Sequence, residues 1–211
     1  MNYFDKKEEI SGPEFIFNQV TNVEINWSNS LVFKPKIYDC SFDDASSELD
    51  VGVLCLKNKK FVDLESLIFY NNSSNAENSI LGDYGYCYLF YPGFDQIFSL
   101  NPNKIDMKYD EIIFYISRPQ TINSKDKNWI DHELVREMKD EICYVNCRIR
   151  CGSEYIVIKN IKYAYNKFGA SVLLRFSKNY EGWNLNLEHD VYNNGLFEII
   201  EKHQQHDTDS A

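Results

Sequence analysis

The chain has 211 residues, of which 44% are hydrophobic and 15% aromatic, and its 32 acidic and 22 basic residues give a formal net charge of −10. This length suits one packed domain, and the negative charge argues against a nucleic-acid partner because phosphate backbones would be repelled. Such a surface instead suits cations or basic partners. No apolar run approaches the ~20 residues needed to span a bilayer, and the N-terminus has no signal-peptide pattern, so we expect a cytoplasmic protein without a membrane span.

The first half of the chain predicts a polar leader followed by short strands. Residues 1–12 are expected to be flexible, and the main domain is expected to cover residues 13–202. A turn is predicted at Thr21-Asn22, a polar loop at residues 71–85, and a helical turn at residues 101–104. Apolar patterning predicts strands at residues 15–19, 23–27, 31–38, 49–56, 67–70, 86–91, 96–100 and 111–117.

The second half predicts further strands and two short helices. Asn128 can cap a helix at residues 129–139, and a second helix is predicted at residues 196–202. The polar residues 203–211, which include His203 and His206, predict a disordered and solvated tail. Further strands are predicted at residues 142–151, 154–161, 170–176 and 183–188. About ten strands with few helices indicate an all-β fold with minor helices, an antiparallel β-sandwich.

Three cysteines, Cys143, Cys147 and Cys151, follow one another at intervals of four within the predicted strand at residues 142–151. The odd positions of this strand are apolar and the even positions are mostly polar, so the cysteines should share its buried face. Cysteines four apart on a strand lie ~13 Å apart, which is too far to share one ion. We expect buried free thiols in a reducing compartment, with Arg148 and Arg150 on the other face pairing with acids or receiving a partner.

Carboxylates flank the apolar strand at residues 49–56 and recur in the polar loop that follows. Glu48 and Asp50 lie at the start of the strand, and Glu77, Asn78 and Asp83 lie in the loop. Calcium takes about six to eight oxygen ligands, so a buried strand that delivers carboxylates next to an acidic loop is one way to form a site for a hard cation. Strand ends are also often acidic simply because they meet water, and the residues alone leave this interpretation open.

The same segments resemble the TerD family, the tellurite-resistance and general stress proteins of bacteria. The family pattern Asp-x-Asp-Leu-Asp-Ala-Ser is similar to residues 46–52 (SSELDVG), and the family element Phe-Ile-Phe-Tyr-Asn is similar to residues 67–71 (LIFYN). Weaker similarity follows at residues 77–83, 95–97, 102–105, 111–114 and 170–189. The resemblance therefore extends from about residue 20 to about residue 190.

This resemblance implies a TerD-like β-sandwich that binds calcium through two acidic segments and acts in a stress response without catalysis. The first family Asp falls on Ser46 and the second on Glu48, and the second segment has lost most of its carboxylates. The implied partners are the calcium ion and other proteins of a stress-response complex. The implied ion ligands are oxygen-bearing side chains: Glu48, Asp50, Glu77, Asn78, Asp83 and Asp95.

No phosphate-binding loop, nucleophile elbow or zinc-protease motif occurs in the sequence, so we expect no enzyme activity. The first hypothesis is a calcium-binding stress-response protein. The alternative is a TerD-like protein-protein interaction module that has lost metal binding and presents the aromatic run at residues 84–94, where Tyr84, Tyr86 and Tyr88 alternate. Packing within a strand also accounts for these tyrosines.

Overall fold

The computed structural model describes residues 16–28, 50–69, 72–83, 96–117, 142–164, 169–186, 190–193 and 195–204. Within these ranges the chain forms two antiparallel sheets, which confirms the predicted β-sandwich. One α-helix, α1 (Leu196–Gln204), and a 3₁₀ turn at Leu64–Ser66 accompany the sheets in the described part. The strands are β1 (Ile16–Phe17), β2 (Thr21–Ser28), β3 (Asp50–Lys57), β4 (Lys60–Phe61), β5 (Leu67–Ile68), β6 (Ile80–Asp83), β7 (Gln96–Leu100), β8 (Glu111–Ser117), β9 (Ile142–Cys151), β10 (Glu154–Ala164), β11 (Ala170–Lys178), β12 (Trp183–Asn186) and β13 (Val191–Tyr192).

The two sheets place the predicted ligand strands on different layers. The larger sheet has the order β1-β12-β11-β8-β3-β4, with β5 beside β3 and β13 beside β11. The smaller sheet has the order β10-β9-β2-β7-β6. Asp50 therefore begins a strand of the larger sheet, whereas Asp83 ends the outermost described strand of the smaller sheet.

The core between the sheets is built on aromatic rings. Phe17, Phe114 and Phe176 of the larger sheet and Phe98 of the smaller sheet are fully buried. Their ring centroids lie 5.1 Å apart for Phe17–Phe176, 5.3 Å for Phe98–Phe114 and 5.8 Å for Phe114–Phe176, in edge-to-face geometry. Such geometry is favourable for aromatic pairs, and the Phe98–Phe114 contact joins the two sheets.

A second apolar cluster lies on the outer face of the larger sheet. Ile199 of α1 packs there with Leu54, Ile113 and Val172. Every residue of β8 is buried, because one face of this strand points into the core and the other into the second cluster. The double burial explains why the sequence of β8 is apolar on both faces.

Several predicted elements have the bounds that the sequence indicated. The strands Gln96–Leu100, Glu111–Ser117 and Ile142–Cys151 begin and end at the predicted residues. The predicted turn at Thr21-Asn22 is wrong, since both residues begin β2. Thr21 pairs with a strand on each side, opposite Leu100 and Cys151, so tertiary pairing determines its conformation.

The cysteine-bearing strand β9 has the predicted polarity. Cys147 and Cys151 are buried free thiols on the core face, and Cys55 is also buried and free. The side chain of Cys143 lies outside the described part. Burial raises the pKa of the Cys147 thiol well above its ordinary value, so it stays protonated and acts as a small apolar group.

Other elements differ from the predictions or lie outside the described residues. Residues 80–83 of the predicted loop form β6. At the helical turn predicted for residues 101–104 the structure has a single hydrogen-bonded turn, in which the Lys104 N–H donates to the Asn101 carbonyl. The predicted C-terminal helix continues to Gln204, and His203 is buried rather than solvated. The leader at residues 1–12, the predicted strands at 31–38 and 86–91 and the predicted helix at 129–139 lie outside the described ranges.

No helix among the described residues is both long and apolar enough to cross a bilayer.

Candidate functional site

The start of β3 and the start of β7 meet at one corner of the sandwich. The backbone N–H of Val51 donates a hydrogen bond of 3.2 Å to Oε1 of Gln96, and this bond joins the two sheets. Asp50 directly precedes Val51, and Asp83 lies opposite Ile97 in the pairing of β6 with β7. Two of the predicted ligand positions, one from each sheet, therefore come to this corner.

Three other parts of the predicted ligand set lie outside the described residues. These are Glu48, Asp95 and the side chain of Asp50. In the sequence, Glu48 lies two residues before Asp50, and Asp95 directly precedes Gln96. Their proposed place in an ion site at the corner stays a prediction.

Glu77 and Asn78 lie at the opposite end of the smaller sheet, at the tip of a hairpin formed by residues 73–83. The two arms of this hairpin pair through Ser74 and Leu81, with the Gly82 N–H donating to the Ser73 carbonyl at 2.8 Å. Asp83 lies at its base. About four to six residues of strand separate tip and base, which corresponds to roughly 13–20 Å.

Electrostatics support this separation. Burial raises the pKa of the Cys55 thiol, and the negative charge of Glu77 adds to the increase, so Glu77 lies near Cys55. Cys55 lies five residues along β3 from Asp50, a distance of about 16 Å in an extended strand. Among the described residues, Glu77 and Asn78 therefore lie at one end of the sandwich, and Asp83 and the backbone of Asp50 lie at the other.

A local hydrogen-bond network accounts for Glu77. Nδ2 of the buried Asn75 donates to Oε2 of Glu77 at 3.0 Å and to Oγ of Ser79 at 2.6 Å. Oδ1 of Asn75 accepts the backbone N–H groups of Ser79 at 2.9 Å and Ile80 at 3.0 Å. Asn78 is exposed and has a φ of 47°, a conformation that Asn tolerates in tight turns. Both residues thus have a structural explanation as parts of the hairpin tip.

A buried ion pair that the sequence analysis missed lies on the outer face of the larger sheet. Arg175 of β11 pairs with Glu111 of β8, and both side chains are less than 10% exposed. Nη2 of Arg175 also lies 3.9 Å from Oδ2 of Asp190, and Nζ of Lys202 lies 3.2 Å from the same oxygen. The sequence signal was a single charged residue in each of two apolar runs, residues 111–117 and 170–176. The network links the sheet to α1.

The charges of this network stabilise one another. Hydrogen bonding to Tyr192 raises the pKa of Lys202, with Asp190 adding to the effect. Burial alone would raise the pKa of Asp190, but Lys202, together with Tyr192 and Arg175, lowers this pKa below its ordinary value. Lys202 and Asp190 are therefore both charged near neutral pH.

The arginines of β9 also pair with an acid, as one of the two interpretations predicted. Glu24 on β2 is fully buried, and it pairs with Nε of Arg148 and with Nη2 of Arg150 at 3.4 Å. Across the residues that the structure describes, no group of three or more His, Cys, Asp or Glu side chains is arranged to hold a metal ion.

Comparison with known proteins identifies the fold. No protein-family model matches the chain, and no curated protein matches its sequence. A crystal structure of an unknown-function protein, SAV2460, superposes with a TM-score of 0.52 at 13% identity, covering 89% of this chain and 98% of that one. A homologue of the telluride resistance protein TerD, SCO6318 from Streptomyces coelicolor A3(2), superposes with a TM-score of 0.52 at 10% identity, covering 86% and 95%. The chain therefore has a divergent TerD-like fold, as its sequence resemblance predicted.

Proposed function

We propose that this TerD-like protein binds calcium at the corner where β3 and β7 meet, and that it acts in a cytoplasmic stress response without catalysis. The observation that carries the proposal is the Val51–Gln96 hydrogen bond, which brings Asp50 to the same corner as Asp83. Glu48 and Asp95, the sequence neighbours of this junction, are proposed to supply further oxygens. Glu77 and Asn78 lie at the other end of the sandwich and are outside the proposed site.

Calcium at this corner would act on the two sheets together. Carboxylates that converge from two layers repel one another when no cation is present. A divalent ion between them attracts each carboxylate, so the net interaction becomes favourable. An ion that binds only the folded chain also raises its stability by mass action. The expected role is therefore a calcium-dependent stiffening of the corner, to which a partner protein of the stress response would respond.

The test is thermal unfolding of chelator-treated protein with and without millimolar calcium, with magnesium as the ion control. We expect calcium, but not magnesium, to raise the melting temperature of the unmodified chain. Asp50→Asn and Asp83→Asn should each remove this increase. Glu77→Gln is the matched control, because the glutamine oxygen can still accept the Asn75 hydrogen bond and the carboxylate lies at the other end of the sandwich. The absence of a calcium effect, or an equal loss in Glu77→Gln, would overturn the proposal.

A protein-protein interaction module is the second candidate function, supported by exposed apolar side chains on two adjoining loops. Val62, Leu64 and Met107 are 39%, 76% and 83% exposed. The loops that carry them are joined by the ion pair between Asp63 and Lys108 at 3.3 Å. Apolar side chains grouped on a surface are typical of contact sites. The aromatic run at residues 84–94 lies outside the described ranges.

Site-specific photo-crosslinking in cells separates this candidate from the first. A crosslinking amino acid at Leu64 or Met107 should give discrete protein adducts. The same amino acid at Tyr180, which is 93% exposed in a turn between β11 and β12, should not. Adducts from Leu64 and Met107 in a protein that shows no calcium effect would favour the interaction module. Equal labelling at all three positions would argue against a specific surface.

A further inference from the structure

The C-terminal helix α1 is attached to the larger sheet by two residues of one helical face. Ile199 and His203 are four residues apart, so their side chains lie on the same side of the helix. Both are buried, with exposures of 0% and 5%. Ile199 packs in the apolar cluster, whereas His203 brings a titratable ring into the contact.

The ring of His203 contacts the turn between β3 and β4. Its Nδ1 lies 2.7 Å from the carbonyl oxygen of Lys59. A carbonyl oxygen only accepts hydrogen bonds, so Nδ1 must carry the proton. The neutral ring in the docked helix is therefore the tautomer in which Nε2 has a lone pair.

The turn that offers this carbonyl is rigidly defined. Asn58 and Lys59 have φ values of 50° and 64°, which is typical of a two-residue hairpin turn that follows the twist of its strands. The N–H of Asn58 donates to Oδ1 of Asp110 at 2.9 Å, and Lys57 pairs with the same carboxylate at 3.3 Å. The acceptor for His203 is thus held by contacts that do not involve the helix.

The second ring nitrogen has no comparable partner. Nε2 is buried and makes no hydrogen bond to any described residue. The charges acting on the ring are Arg175 from β11, Glu111 from β8 and Lys202 from α1. Glu111 is already paired with Arg175, and Lys202 with Asp190. A proton on Nε2 would therefore be buried without an acceptor, which costs free energy.

We propose that His203 is a pH-sensitive latch, which holds α1 against the larger sheet while its ring is neutral and weakens that attachment when the ring is protonated. Burial lowers the pKa of His203 below its ordinary value of 6.5, outweighing the opposing hydrogen bond to Lys59. In the released helix His203 has its ordinary pKa, so it binds a proton more readily than it does in the docked helix. Attachment is fully favourable above pH 6.5, weakens as the pH falls from there to the docked pKa, and is constant below that value.

The test is amide hydrogen exchange of residues 196–204 in the full chain between pH 5 and pH 8, corrected for the intrinsic rates. We expect protection of the helix to fall up to tenfold for each pH unit between 6.5 and the docked pKa of His203. His203→Gln, whose amide cannot take up a proton, should make the protection independent of pH. His206→Gln, in the same C-terminal segment, is the control and should keep the pH dependence. A pH dependence that persists in His203→Gln, or its absence in the unmodified chain, would overturn the latch.

A second measurement covers the case in which His203→Gln leaves α1 unprotected at every pH. Nuclear magnetic resonance titration of the His203 ring in the unmodified chain gives its midpoint directly. A midpoint below 6.5 supports the latch, and a midpoint at or above 6.5 rejects it.

Discussion

The two ends of the hairpin at residues 73–83 place their carboxylates in different settings. At the tip, Glu77 receives a hydrogen bond from Asn75, which also holds the backbone of the turn. At the base, Asp83 lies beside the junction at which Gln96 connects the smaller sheet to Val51 of the larger sheet. Acidic residues close in sequence thus serve separate purposes: one carboxylate completes a local turn, and the other is positioned by tertiary structure.

We expect the greatest loss of stability from a substitution in β3, the strand that brings Asp50 to the corner. Gly52 lies opposite Tyr115, and a Cβ on Gly52 would come within 2.1 Å of the Tyr115 hydroxyl. Tyr115 is 2% exposed and has little space into which it could move. We expect Gly52→Ala to lower the free energy of unfolding by about 3 kcal/mol, measured by urea denaturation.

A double-mutant cycle tests whether the tyrosine ring is the cause. In a Tyr115→Leu background the hydroxyl and the outer ring atoms are absent, so Gly52→Ala should cost much less than in the unmodified chain. An equal cost in both backgrounds would mean that the strand backbone, rather than this contact, requires glycine.

The next largest effect is expected at the hairpin tip. Asn75→Ala removes the acceptor for the N–H groups of Ser79 and Ile80 and the donor to Glu77. We expect a loss of about 2 kcal/mol in the free energy of unfolding, because buried polar groups lose their partners. Asn78→Gly, at the exposed neighbouring position, should change stability by no more than ~0.5 kcal/mol. If Asn75→Ala lowered the calcium-induced rise in melting temperature by more than its loss of stability accounts for, the tip and the corner would be linked. That result would contradict their separation.

A smaller effect is expected from the bond that joins the sheets. Gln96→Met keeps the volume and flexibility of the side chain but removes the oxygen that accepts the Val51 N–H. One such hydrogen bond contributes about 1 kcal/mol, so urea denaturation should detect a loss of that size. The calcium-induced rise in melting temperature should also fall, whereas Asn75→Ala should leave it intact. A Gln96→Met protein with an unchanged calcium response would show that the corner does not need this bond.

Much of the fold could be predicted because apolar patterning directly reports burial. β8 is apolar on both faces because α1 covers the face that the core does not use, and β9 alternates because only one of its faces is in the core. β6 could not be predicted, since only two of its four residues are apolar and its conformation depends on pairing with β7. The same reason explains the wrong turn at Thr21-Asn22, where polar residues pair with strands on both sides.

The candidate site was predictable only in its residue types. The spacing of Asp50, Glu77 and Asp83 along the chain does not reveal which sheet each strand joins, and the sheet decides which of them meet. The role of Glu77 depends on Asn75, an uncharged residue that no ligand pattern singles out. The polar neighbours of His203 predict a solvated tail, yet helix packing four residues after Ile199 buries this side chain.

The smallest effect should follow from removing the ion pair between Asp63 and Lys108, whose charges, like that of Glu77, act on the Cys55 thiol. Lys108 and Asp63 are 3.3 Å apart, and their side chains are 34% and 39% exposed, so water and salt screen their attraction. Lys108→Met keeps the apolar part of the side chain and should lower the free energy of unfolding by at most ~0.5 kcal/mol, measured by urea denaturation at low salt. The difference should disappear at high salt, because screening removes the attraction from the unmodified chain as well. A cost as large as that of Gly52→Ala would contradict this expectation, because it would mean that the pair stabilises the fold far more than a solvent-screened pair can.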